Sequence, residues 1–105
     1  MSQPVANAVR GEAVLHLDGR DYLLRPSFAA LLAAEDELGP LFALVERAAA
    51  GELKIAEMAG LFWHCLSAPP SGLDRREFGE ALAAAGIANA TPALRVLLGQ
   101  ILQGR

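Results

Sequence analysis

Apolar and polar positions alternate over two short runs near the start of the chain, then give way to a helical period. From Glu12 to Arg25 the sequence reads EAVLHLDGRDYLLR, two β-prone runs around Asp18-Gly19, a pair favoured in two-residue type I′ hairpin turns. That turn predicts a register in which Leu17 faces Arg20, Leu15 faces Tyr22, Ala13 faces Leu24 and Glu12 faces Arg25. Ala13, Leu15, Leu17, Tyr22 and Leu24 then share one apolar face. On the other face Glu12 opposes Arg25 and His16 opposes Asp21, and these complementary pairs support the register independently.

Pro26 stops the second strand, and Ser27 caps a helix expected over residues 27–38, with Phe28, Leu31, Leu32 and Leu38 on one side before Gly39 ends it. Pro40 opens a second helix over 40–50, where Leu41, Leu44, Val45 and Ala48 recur at helical spacing up to Gly51. A third, expected over 53–67, carries Ile55, Met58, Ala59, Leu61, Phe62, Cys65 and Leu66 on a wide apolar arc. The run APPSG is a loop, and Asp74 caps a fourth helix over 74–85 that Gly86 closes. Thr91-Pro92 reads as a cap and a helix-starting proline for a fifth, over 92–103, with a stripe of Leu94, Leu97, Leu98, Ile101 and Leu102. The expected fold is mainly α (α+β): an N-terminal β-hairpin, residues 12–25, packed on a compact bundle of about five short helices. Residues 1–10 show no periodicity and contain a proline, which predicts a loose arm, and residues 11–105 are expected to form one domain.

Composition narrows the class. Although 53% of the 105 residues are hydrophobic, no uninterrupted apolar run of roughly 18 residues is present, so a membrane span is not expected. The opening MSQPVANAVRGE lacks the basic start and apolar run of a secretory signal, and a lone Cys65 suits a reducing compartment. A cytoplasmic protein is expected. The net charge is −3 and the nine Lys and Arg residues are scattered, which disfavours nucleic acid because phosphate neutralisation needs clustered cations. Ala and Leu dominate while aromatics reach only 6%, leaving surplus apolar surface for a protein partner.

The chain contains no GxxxxGK[ST], GxGxxG, HExxH or CxxC motif. No catalytic residue, cofactor or metal is therefore expected. His16 opposite Asp21 reads as a surface pair. His64, Cys65 and Glu57 could be imagined as metal ligands, but neighbouring helical positions diverge by about 100°, and ordinary packing is the preferred reading. Glu35, Asp36 and Glu37 likewise read as a solvated helix face. Trp63 falls off the arc of its helix and is a candidate interface anchor, with core packing as the alternative. Val96 broadens the stripe of the last helix, which makes Val96, Leu97 and Ile101 further candidates for partner binding.

The run RGEAVLHLDGRDYLLRPSFAALLAAEDELG, followed by LFALVERAAAGEL, resembles the gene transfer agent family of phage-type tail assembly chaperones. The matching elements are Arg10 to Glu12, Leu17 to Gly19, the Tyr-x-Leu-Arg-Pro string from Tyr22 to Pro26, Phe28, and the E-x-x-LG pattern from Glu35 to Gly39. They cover roughly the first half of the chain. The resemblance implies a non-enzymatic protein that holds the tape-measure protein, with major tail tube subunits as further candidates, in an assembly-competent state. It brings no catalytic residues to carry over. A long helical partner with exposed apolar stripes would need an amphipathic groove to cover them. A second reading makes the chain a tail or connector component of the particle itself, joined through its hairpin edge.

Overall fold

The computed structural model describes residues 12–103, so the arm expected over residues 1–10 lies outside the described residues. Strands β1 (Ala13–Leu17) and β2 (Arg20–Leu24) form the hairpin. Asp18 and Gly19 have φ of 52° and 74°, the left-handed pair that a type I′ turn requires. The register is the expected one, with Leu17 opposite Arg20, Leu15 opposite Tyr22 and Ala13 opposite Leu24. Both charge pairs form: the Glu12 carboxylate lies 3.2 Å from Arg25 Nε, and His16 Nδ1 lies 2.5 Å from Asp21 Oδ1. The five apolar residues of the shared face are all buried.

Five helices follow: α1 (Phe28–Leu38), α2 (Leu41–Ala49), α3 (Ile55–Cys65), α4 (Arg75–Ala85) and α5 (Ile87–Gln103). Ser27 Oγ accepts from the Ala30 amide at 3.2 Å and Asp74 Oδ1 from the Arg76 amide at 3.0 Å, so both expected side-chain caps satisfy first-turn donors. At Gly86 the chain turns by 113° between α4 and α5. Among the described residues no single helix is long and apolar enough to cross a membrane.

Three boundaries differ from expectation by two residues or more, the first being the start of α3 at Ile55 rather than Leu53. Helix α3 stops at Cys65 rather than Ser67, and Leu66–Ser67 form β3, antiparallel to β2 with Leu24 opposite Leu66 and Leu23 opposite Ser67. The exposed side of β2 offers unpaired backbone groups that a short strand can satisfy, and the Arg25 amide donates to the Cys65 carbonyl at 2.7 Å to start the pairing. Helix α5 begins at Ile87, five residues before the expected start, with Pro92 inside it. Thr91 does not cap; its hydroxyl donates to the Ile87 carbonyl one turn back at 3.0 Å.

Helix α3 packs on α1 and α4, while α5 closes over β1, α2 and α4. Phe62, Phe78, Leu15, Leu17, Leu24, Leu44, Leu61, Leu82 and Leu97 are fully buried between these layers. Tyr22 meets Phe78 edge-on at a ring separation of 5.6 Å. The buried side of α1 is the expected one at Leu31 and Leu38 but not at Phe28 and Leu32. Ala34 is buried, flanked by Ala30, Leu31 and Leu38, whereas Phe28 and Leu32 face outward. Leu31 and Leu38 stay against the core, and the small Ala30 and Ala34 complete that side of the helix.

Candidate functional site

Three helix ends converge on one side of the molecule. Phe28 opens α1 directly after its Ser27 cap. Phe42 lies in the first turn of α2, which is held by Glu35: its Oε2 accepts from the Leu41 amide at 3.1 Å, supplying the cap that Pro40 lacks. Leu102 sits in the last turn of α5. Together with Leu31, Leu41 and Ile101 these residues line a groove of about 540 Å³, whose remaining walls are Pro26 and Gln100. Phe28 is 81% exposed, Phe42 63% and Leu102 54%. Among the described residues no charged side chain lines the groove. Clustered apolar exposure of this kind is the mark of an interaction surface rather than of ordinary solvated helix.

The candidates read from the sequence scatter around this feature. Ile101 lines the groove and is partly buried. Val96 is exposed, but it lies five residues away on the same helix and so on a different face. Leu97 has 0% exposure and belongs to the core, so it presents no surface to a partner. Trp63 packs on Phe78 at a ring separation of 5.9 Å and is partly buried, in keeping with the core alternative. Nothing in the sequence singles out Phe28, Phe42 and Leu102 for binding, because each falls on an apolar run that reads equally well as core.

His64, Cys65 and Glu57 turn to different neighbours. His64 Nε2 lies 2.7 Å from Glu37 Oε1, and Arg75 donates to the second oxygen of the same carboxylate. Glu37 thus ties α1 to α3 and α4. The Arg75 guanidinium, helped by His64, holds the Glu37 carboxyl down at about 2. Glu57 accepts from the Lys54 amide at 3.0 Å and from Arg47, and these bonds lower its pKa, the Lys54 amide most. Cys65 is buried, and loss of hydration pushes its thiol up to about 12. Among the described residues no group of three His, Cys, Asp or Glu side chains is gathered as a metal ion would need. The acidic run read as a solvated face is only partly that, since Glu35 caps a helix and Glu37 bridges three.

A second hollow, of about 380 Å³, lies between α1 and the end of α3 and is lined by Arg25, Ser27, Ala30, Ala33, His64 and Ser67 among others. Its two basic groups are already engaged, Arg25 with Glu12 and His64 with Glu37.

The described features define a small α+β fold that carries an apolar groove on its surface. The family to which it belongs follows from comparison: residues 10–104 match the model of the family described as phage tail tube protein, GTA-gp10, and the chain is a member of that family. No curated protein and no solved structure matches it.

Proposed function

We propose that this chain is a structural subunit of the tail of a phage-like particle or gene transfer agent, working by protein association and without catalysis. The observation that carries this reading is the family match, which extends over residues 10–104 and is to a tail tube family. The groove between α1, α2 and α5 offers a surface for contact with neighbouring subunits. The test is quantitative mass spectrometry of purified particles. A structural subunit is expected at a fixed stoichiometric ratio to the other tail proteins, and its absence from particles that are otherwise complete would refute the role.

A second reading makes it a tail assembly chaperone acting in the cytoplasm on the tape-measure protein, and on tail tube subunits. The favouring observation is the groove itself, because an uncharged cleft bordered by two exposed phenylalanines suits the apolar stripe of an amphipathic helix. In that case the chain leaves before the particle is finished, and co-expression with the tape-measure protein should yield a complex that purified particles do not contain. Failure to recover that complex would dismiss the chaperone role.

A further inference from the structure

We propose that the groove formed by α1, α2 and α5 is a self-association surface, by which two copies of the unassembled chain pair about a twofold axis. This inference does not rest on the tail reading. A twofold contact uses the same patch on both partners, so that patch must carry both projections and a recess to receive them. The groove has both within one surface. Phe28 and Phe42 project at 81% and 63% exposure beside a hollow of about 540 Å³ whose walls they share, so each copy can insert a ring into the other.

Charge favours the same occupant. The chain carries a net charge of −3, so two copies repel each other at long range. Among the described residues the groove contains no Asp, Glu, Lys or Arg, and pairing there adds no like-charge contact to that repulsion. Area sets the strength. Of the residues that line the groove, Phe28, Phe42 and Leu102 are each more than half exposed. With roughly 150–250 Å² available per aromatic, covering them on both copies removes on the order of 800 Å², at the small end where transient contacts lie. The dimer is therefore weak, dissociating in the micromolar range or above, and a twofold contact closes at two copies, leaving it open to replacement by other partners.

The experiment is sedimentation velocity on the purified full chain up to a concentration on the order of 100 µM, beside Phe28→Asp, Phe42→Asp and, as a control, Ile87→Asp, which replaces an exposed residue outside the groove. Wild type and the Ile87 variant should pass from monomer to dimer with rising concentration. Each groove variant should dimerise at least about tenfold more weakly, with a circular dichroism melt matching wild type, since neither ring is buried. A wild type that stays monomeric throughout overturns the proposal and assigns the groove to a different protein. Dimers unaffected by either groove substitution, or assemblies that grow past two copies, overturn it as well.

Discussion

Glu37 carries most of the local electrostatic organisation. Its carboxylate bridges Arg75 and His64, which ties three helices together at one point. Because its folded pKa of about 2 lies below the ordinary 4.5, the charged form stabilises the fold fully above 4.5, and that contribution is lost as pH falls from 4.5 through about 2. The side chain is 37% exposed, so solvent screening reduces the benefit to about 1 kcal/mol. Glu37→Gln should therefore lower unfolding free energy by about that amount at neutral pH, and the gap to wild type should narrow in acid. Urea titrations of both proteins across that range check it, and a gap independent of pH would exclude the carboxylate as its cause. The two neighbouring candidates on α5 separate just as clearly. Leu97→Ala empties a fully buried position and should cost about 2–5 kcal/mol. Val96→Ala trims an exposed one and should stay within about 0.5 kcal/mol. The same denaturation experiment measures both.

Helix interiors contain three glycines whose surroundings differ. A Cβ at Gly79 in α4 or Gly99 in α5 would meet nothing within 4 Å, so Gly79→Ala and Gly99→Ala should each stabilise by about 0.5–1 kcal/mol through helix propensity alone. At Gly60 in α3 the same Cβ would lie 3.2 Å from Arg75 and Leu38 and 3.3 Å from Glu37. There the propensity gain is offset by crowding at the three-helix bridge, and Gly60→Ala should yield no net stabilisation. Thermal melts of the three variants distinguish the cases, and equal gains at all three would show that the bridge yields freely. Which elements could be read from the chain follows from where their signals reside. The hairpin is encoded locally: Asp18-Gly19 fixes the turn, strict alternation fixes the face, and Glu12 with Arg25 fixes the register. Ser27, Asp74 and Gly86 mark helix ends through groups that act within one turn. Strand β3 has no such mark, because Leu66 continues the apolar period of α3 and its pairing partner lies more than forty residues earlier. The start of α5 was hidden by Thr91-Pro92, which mimics a helix beginning although Ile87 to Ala90 already form a turn. In α1 apolar residues occur nearly all round, so periodicity could not tell Ala34 inside from Phe28 outside. The groove depends on that distinction and on three segments meeting, neither of which a linear pattern contains.

The whole molecule combines a net negative charge with an uncharged recess, and that contrast makes the response to salt diagnostic of what the recess binds. Between roughly 0.01 and 1 M salt the Debye length falls from about 30 to 3 Å, which removes most long-range repulsion between two like-charged copies. Self-association through the groove should therefore strengthen with salt, modestly, by about threefold or less, because apolar burial supplies the attraction and salt relieves only an opposing background. It should also weaken on cooling and show a negative heat-capacity change. A partner that held the groove's surroundings through basic side chains would behave in the opposite way, loosening as salt screened the attraction. Sedimentation at several salt concentrations, with calorimetric dilution at two temperatures, measures both responses on one preparation. Dissociation of the dimer by salt would locate the contact on a charged face and remove Phe28, Phe42 and Leu102 from it.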